Sequence, residues 1–179
     1  MKLWKTWAGI PFVIVGLAIA LIITITLPSG TQAQTPAIIR YPIPDSDFPI
    51  ARAVELPADA KLVYVSGQVP PMVNPDVPRN SIEAFGDTKN QTVGVLERIQ
   101  AILSDVGLTM GDVVKMQVFL VGDPANEGVM DFAGFMEGYT QFFGTEDQPN
   151  LPARSAMQVA GLVNPGWLVE IEVIAVKPE

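Results

Sequence analysis

The residues best suited to chemistry lie in the last stretch of the chain, "LPARSAMQVAGLVNPGWLVEIEVIAVKPE", from Leu151 to Glu179. Arg154 stands near the start of one predicted strand, and Glu170 and Glu172 share one face of the next. A guanidinium presents a planar pair of donors to a carboxylate, and a partly desolvated glutamate can orient a water molecule and take its proton. The stretch therefore predicts either a site that binds a carboxylate and activates water, or a structural ion pair between strands.

Two residue types that often perform chemistry are missing, because the chain has no cysteine and no histidine. Their absence excludes a thiol nucleophile, a Ser-His-Asp triad, an imidazole base and a zinc site of the usual kind. No Asp-rich loop has the spacing of a calcium site. We therefore expect no metal and no cofactor, and a chemistry that depends on Asp, Glu, Arg, Lys, Tyr, Ser, the backbone or water.

The first 33 residues have the pattern of a signal peptide. Lys2 and Lys5 give a positive start, Phe12 to Leu27 is an uncharged run of apolar residues interrupted only by Thr24 and Thr26, and Thr31 to Ala33 ends in the small residues that a signal peptidase requires. Cleavage after Ala33 would release a periplasmic or secreted protein. The alternative is an uncleaved anchor that contacts the membrane, because the apolar run counted from Trp7 is long enough to span a bilayer. Both interpretations place the rest of the chain outside the cytoplasm.

The remainder of the chain is acidic and has the length of one domain. Without residues 1–33 it carries 9 basic and 19 acidic side chains, a net charge of -10. Such a surface repels a polyanion, so nucleic acid is not an expected partner. We assign residues 34–45, which are rich in proline and polar side chains, to a linker and residues 46–179 to the domain.

Hydrophobic periodicity predicts an α+β fold, with two helices on one face of a mixed sheet. The two strands before the first helix are separated by Pro57 to Ala60, which suits a hairpin. The predicted strands are Ala51–Leu56, Lys61–Ser66, Val113–Leu120, Ser155–Gly161 and Leu168–Val176, and the predicted helices run from about Ser81 to Val106 and from Val129 to Phe143. Asp123 and Pro124 are expected to begin the second helix, whose aromatic stripe predicts a core face.

Two apolar rows on the predicted strands suggest self-association. One row runs through Val114, Met116 and Val118, and the other lies on the last strand. If the helices cover one face only, one row packs beneath them and the other contacts a second copy of the chain. We therefore expect the chain to self-associate.

Four separated motifs carry a resemblance to a known family. They are "YVSGQVP" (Tyr64 to Pro70), "QTVGVLERIQAILSDVGLTMGDVVKMQVFL" (Gln91 to Leu120), "FAGFMEGYTQFF" (Phe132 to Phe143) and "PARSAMQV" followed by "VEIEVIAV" (Pro152 to Val176). Together, and in this order, they resemble the RidA/YjgF family of imine deaminases from about residue 46 to 178. The agreement of four motifs makes the resemblance specific.

The resemblance implies a chorismate-mutase-like fold, trimerised through the sheets, with three clefts at the subunit interfaces. It implies that Arg154 binds a substrate carboxylate and that Glu170, the first glutamate of "VEIE", positions the water that attacks the imine carbon. It also implies that the backbone at Gly67 faces the substrate. Glu172 is assigned a structural or interface role.

Three positions depart from the family pattern. Ile50 stands where a tyrosine usually lines the cleft, Ala156 replaces a cysteine, and Met136 replaces a frequent asparagine. We expect Ile50 and Ala156 to line the substrate site, and the ligand to differ from the usual small 2-imino acid or to be turned over slowly.

Two classes of function remain open. The first is an enzyme that hydrolyses a reactive imine or enamine to a carbonyl compound and ammonia. The second is a non-catalytic exported trimer that binds a small carboxylate or a partner protein in the same cleft. A ribonuclease, an activity also attached to the family, is disfavoured by the acidic surface and the missing histidines.

Overall fold

The computed structural model describes residues 38–178, which contain one mixed β-sheet of six strands. The strands are β1 (Ile39–Pro42), β2 (Ala51–Glu55), β3 (Lys61–Gln68), β4 (Val113–Val121), β5 (Ala153–Val159) and β6 (Val169–Lys177), and the helices are α1 (Thr88–Asp105) and α2 (Phe132–Tyr139). The order across the sheet is β1-β2-β5-β4-β6-β3. The predicted signal peptide or anchor lies outside the described residues.

Strand β4 lies next to both strands that carry the candidate site. It runs parallel to β5, with Met116 opposite Arg154, and antiparallel to β6, with Phe119 opposite Glu170. The two helices cover one face of this sheet, where residues such as Leu96 of α1 pack in a single buried cluster with the strands. The predicted α+β architecture is therefore confirmed.

The predicted hairpin between the second and third strands is wrong. Strand β2 pairs with β1 and, through Ala51 and Ala153, with β5, whereas β3 pairs with β6 at the other end of the sheet. Ala60 donates to the carbonyl of Pro57, so the intervening residues do form a turn. The turn sends the chain across the sheet because β1 already occupies the outer edge of β2.

Strand β1 lies within the segment that we interpreted as a linker. Its Arg40 donates from Nη1 to the carbonyls of Val113 (2.9 Å) and Leu151 (2.7 Å), and from Nη2 to the carbonyl of Gly111 (2.9 Å). A guanidinium can make several such bonds at once because its donors form a fixed fork. The sheet therefore begins at Ile39, several residues before the predicted domain boundary.

Helix α1 begins later than predicted and ends where predicted. The side chain of Asp87 accepts a hydrogen bond from Asn90 N–H at 2.8 Å and caps the helix. Gly107 follows the last turn with a φ of 76°, a left-handed conformation that favours glycine. The segment from residue 81 forms a separate short 3-10 turn, Ile82–Ala84, before the cap.

Helix α2 is shorter than predicted, and Asp123 and Pro124 do not begin it. Asp123 instead caps a 3-10 turn, Pro124–Asn126, by accepting from Ala125 N–H at 2.8 Å. The helix cap is Asp131, whose side chain accepts from Gly134 N–H at 2.9 Å. The caps at Asp123 and Asp131 therefore divide the predicted single helix into a 3-10 turn and a shorter α-helix.

The two apolar rows do not lie on different faces. Met116 pairs with Val173 and Val118 pairs with Ile171, and side chains of paired residues point to the same face. All four are buried beneath the helices. The expectation that one row is left for a neighbouring chain is therefore wrong, because Met116 and Val118 of the first row pair with Val173 and Ile171 of the second.

The other face of the sheet has mixed polarity, with side chains that include Lys115, Gln117, Glu172 and Ile174. They line a cavity of about 300 Å³ together with Tyr64, which is 71% exposed. We call this surface the open face. Within residues 38–178, no helix has both the length and the apolar character needed to cross a bilayer.

Candidate active site

Arg154 projects from β5 toward helix α2 into a group of aromatic rings. Its Cζ atom lies 4.2 Å from the ring centroid of Tyr139, 5.0 Å from that of Phe135, 5.5 Å from that of Phe48 and 5.9 Å from that of Phe132. A cation over aromatic faces is stabilised by the negative potential of the rings. We call these four residues the aromatic cradle.

The cradle holds the guanidinium without an acidic partner. Arg154 Nη2 donates to the thioether sulfur of Met136 at 3.3 Å, a weak acceptor. Nη1 is buried and has no hydrogen-bond acceptor among the described residues. The only ion pair within residues 38–178 joins Lys89 and Glu137 elsewhere on the surface. Arg154 therefore has donors that no acceptor among the described residues uses.

Burial shifts the pKa values of the two ionisable groups in this region in opposite directions. It lowers the pKa of Arg154, and the neighbouring Tyr139 partly offsets that change. It raises the pKa of Tyr139 to about 12, so the phenol stays neutral at physiological pH. The phenol donates to the carbonyl of Pro49 at 2.9 Å. Because an arginine stays protonated even when its pKa falls somewhat, the cradle encloses a cation beside a neutral hydroxyl.

Glu170 and Gly67 lie together at the junction of β6 and β3. The pairing of the two strands is interrupted at Ser66 and Gly67, where Val65 opposes Val173 and Gln68 opposes Ile171. A Cβ atom added to Gly67 would collide with Oε1 of Glu170. The glycine therefore lets the half-buried carboxylate lie against the backbone.

Arg154 and Glu170 lie on opposite faces of the sheet. Arg154 pairs with Met116, which is fully buried beneath the helices, and Glu170 pairs with Phe119, three residues further along the same strand. Successive strand residues alternate between faces, so an odd separation places the two side chains on different sides. The structural ion pair between them, the alternative left open by the sequence, is not formed within one chain.

The remaining predicted site residues are Ile50 and Ala156. Ile50 is half-buried, and its N–H donates to the carbonyl of Phe48 at 2.8 Å. Ala156, two residues after Arg154, packs against the core. The structure thus places Ala156 on the same strand and face as Arg154, Ile50 in a separate pocket beside Arg40 and Leu151, and Gly67 and Glu170 together on the opposite face.

The aromatic cradle was missed as a functional feature by the sequence interpretation. Phe132, Phe135 and Tyr139 belong to the helical stripe that predicted a core face, and Phe135 and Tyr139 are indeed fully buried. Arg154 itself was the signal that could have revealed the cradle. It lies two residues from Ala156, which packs against the core, and an arginine on that face requires side chains that stabilise its charge. Among residues 38–178, no group of three or more carboxylates is arranged to hold a metal ion.

Comparisons with known proteins place the chain in a family. The family model described as "Endoribonuclease L-PSP" matches residues 48–177. A RutC family protein of Haemophilus influenzae is 39% identical over 129 residues, which cover 72% of this chain and 87% of that protein. The solved structure of the YjgF gene product of Escherichia coli is 34% identical in sequence and matches with a TM-score of 0.50. The match covers 74% of this chain and 91% of that chain. The chain is a member of the RidA/YjgF family.

Two matches with RidA/YjgF proteins carry names or titles that state chemistry. The 2-iminobutanoate/2-iminopropanoate deaminase of Escherichia coli is 35% identical over 129 residues, 72% of this chain and 88% of that protein. The structure of Escherichia coli TdcF with bound serine matches with 33% identity and a TM-score of 0.51, over 80% of this chain and 99% of that one. The family therefore includes imine deaminases and a protein that binds an amino acid.

Proposed function

We propose that this RidA/YjgF protein hydrolyses a reactive imine or enamine to a carbonyl compound and ammonia, without a cofactor, in a cleft between subunits of a homotrimer. The observation that carries the proposal is the separation of a cation with unused donors from a carboxylate on the opposite face. Similarity to an imine deaminase supports the reaction class.

The two-face arrangement supports a shared cleft. A ligand whose carboxylate is bound by Arg154 on the helix side cannot reach Glu170 of the same chain across the sheet. A second copy that presents its open face, with Glu170 and Gly67, to the Arg154 region of the first would complete the site. Symmetric repetition of one such heterologous contact gives a ring when the rotation closes, and a trimer is the ring that the family resemblance implies.

In the proposed reaction, Arg154 binds the carboxylate of the imine through its fork of donors, each bond stabilising the complex by roughly 1.5 to 3 kcal/mol where water is excluded. Glu170 of the neighbouring subunit orients a water molecule and accepts its proton. The water oxygen bonds to the carbon of the protonated imine. The proton then passes to nitrogen, and the carbon–nitrogen bond breaks while the hydroxyl group of the adduct gives its proton to Glu170. Glu170 passes this proton to the departing ammonia, and the carbonyl compound and ammonium leave.

A coupled assay tests this function. An L-amino-acid oxidase generates 2-imino acids from different amino acids, and the release of 2-oxo acid and ammonia is followed with and without the purified protein. We expect the protein to accelerate release from at least one imine, and heat-denatured protein to have no effect. Absence of acceleration for every imine would exclude the deaminase function for 2-imino acids.

A second function, carboxylate binding without turnover, is favoured by one observation. Arg154 makes its contacts on the helix side, independently of Glu170, so ligand binding does not require the catalytic carboxylate. The TdcF structure with bound serine is consistent with binding of a ligand that is not an imine. Saturable binding of a carboxylate, together with no effect in the coupled assay, would select this function.

We also propose that the protein acts outside the cytoplasm. The proposal is supported by Lys2, Lys5, the apolar run and the small residues that end at Ala33. Cleavage near Ala33 would release the trimer, and retention of the segment would tether it to the membrane.

A further inference from the structure

We propose that Phe48 and Phe132 are specificity-determining residues that favour ligands whose carboxylate carries an apolar, preferably aromatic, side chain. The inference rests on the proposed function, because it takes Arg154 as the residue that binds the carboxylate. It concerns the part of the ligand next to that carboxylate. The small 2-imino acids in the name of the Escherichia coli relative are therefore not the expected preferred ligands.

The four rings of the aromatic cradle divide into two pairs by exposure. Phe135 and Tyr139 are fully buried and form part of the core. Phe48 is 39% exposed, and Phe132 is only partly buried. The two exposed rings stack on each other, with centroids 6.5 Å apart and planes inclined by 22°. A ligand that approaches Arg154 from solvent therefore meets the exposed pair and not the buried pair.

The segment that carries Phe48 is held in place by two hydrogen bonds made by the residues that follow it. The carbonyl of Pro49 accepts from the Tyr139 hydroxyl at 2.9 Å, and Ala51 N–H donates to the carbonyl of Pro152 at 3.0 Å. The first bond ties the segment to α2 and the second ties it to the start of β5, next to Arg154. Phe48 is thus a positioned ring, and a positioned ring costs a ligand little conformational entropy on binding.

The guanidinium can contact rings and a carboxylate at the same time. Its faces contact aromatic rings, while its N–H donors lie in its plane and point outward from its edge. The side chains that contact the guanidinium are the four rings and the thioether of Met136. A ligand anchored here by its carboxylate therefore places its next atoms against apolar surface, which favours an apolar substituent.

Two monocarboxylates that differ only by a phenyl group test the inference: 3-phenylpropanoate and propanoate. Their dissociation constants are measured by nuclear magnetic resonance titration of the purified protein. We expect 3-phenylpropanoate to bind about tenfold more tightly, the size of preference that one apolar group gives in an apolar pocket. Phe48→Ala should reduce this preference to about threefold or less.

Matched variants separate specificity from folding. Tyr41→Ala removes another aromatic residue of the N-terminal region with similar exposure, 43%, and should leave the preference at about tenfold. Phe132→Leu should lower the preference in the same direction as Phe48→Ala. Far-ultraviolet circular dichroism and thermal unfolding verify that each variant is folded.

Each outcome decides a different claim. Equal affinity for the two ligands, or a preference that survives both Phe48→Ala and Phe132→Leu, overturns the inference but leaves Arg154 as a carboxylate anchor. Failure of both ligands to bind the wild-type protein overturns the inference together with the role of Arg154 in the proposed function. Loss of the preference in Tyr41→Ala would assign it to general stability and would also overturn the inference.

Discussion

At the scale of single residues, the proposed chemistry depends on a carboxylate that lies directly against a glycine. A methyl group at Gly67 would occupy the position of Glu170 Oε1, and the glutamate can rotate away because its end is flexible. We expect Gly67→Ala to lower kcat by something on the order of 10- to 100-fold through misplacement of the water, and to change the free energy of unfolding by less than about 1 kcal/mol.

Gly161→Ala is the matched control for that variant. A Cβ atom at Gly161 meets nothing within 4 Å, so this substitution should leave kcat and stability unchanged. The measurements are steady-state kinetics in the coupled assay and chemical denaturation. Equal kinetic effects of the two substitutions would show that Gly67 has no special relation to Glu170.

Arg154 and Glu170 should differ in the kinetic step that each affects. Arg154→Ala should weaken ligand binding and turnover together, whereas Glu170→Gln should leave binding almost intact and lower turnover by about 10²- to 10⁴-fold. Glu172→Gln, on the same strand and face, should change little. Separate determination of kcat and of the dissociation constant for a carboxylate checks this. If Arg154→Ala unfolds the protein, while variants of Arg154 that stay folded bind the carboxylate as the wild type does, Arg154 has a structural role.

The sequence indicated which residues carry charge but not which face each one occupies. Arg154 and Glu170 were chosen from their residue types and from a family resemblance, and their roles stay predictions. Their separation by the sheet follows from the register between β4 and its two neighbours. Register depends on pairing over the whole sheet, and it is not visible in a local sequence pattern. The sequence also does not show that β4 lies between β5 and β6, which follow each other along the chain.

At the scale of elements, β1 is attached to the rest of the sheet by Arg40. Arg40→Ala removes charged donors from the carbonyls of Gly111, Val113 and Leu151. We expect the free energy of unfolding to fall by about 2 to 3 kcal/mol, because partly buried acceptors lose their donors.

The control for this prediction is Arg52→Ala. Arg52 is an exposed arginine on strand β2, and its removal should change stability by less than about 0.5 kcal/mol. Urea denaturation of both variants measures the difference. An equal loss in the two would show that the three hydrogen bonds of Arg40 do not stabilise the sheet.

Most elements could be predicted because their periodicity reflects burial on one face. Strands β4 and β6 alternate regularly, and α1 ends at Gly107 as its sequence indicates. Strand β1 was missed because Ile39–Pro42 is short, contains a proline and owes its position to contacts made by Arg40 far along the chain. Tertiary contacts of that kind leave no local pattern.

At the scale of the whole molecule, the proposed export depends on the N-terminal segment. If residues 1–33 are a signal peptide, the mature chain begins at Gln34. Mass spectrometry of the periplasmic or secreted fraction should find that terminus. A membrane-bound species that keeps Met1 or Lys2 would support the anchor, and a cytosolic species that keeps them would exclude both forms of export.

Assembly is the central claim, because Arg154 and Glu170 can act on one ligand only if different subunits supply them. Arg154→Ala and Glu170→Gln proteins are each expected to be almost inactive. When the two are unfolded together in equal amounts and refolded, about a quarter of the interface clefts would combine a wild-type Arg154 with a wild-type Glu170 from its neighbour. We predict that deaminase activity per subunit rises to about a quarter of that of refolded wild-type protein; if the mixture, shown by mass spectrometry to contain mixed trimers, remains as inactive as its parents, the shared site is contradicted.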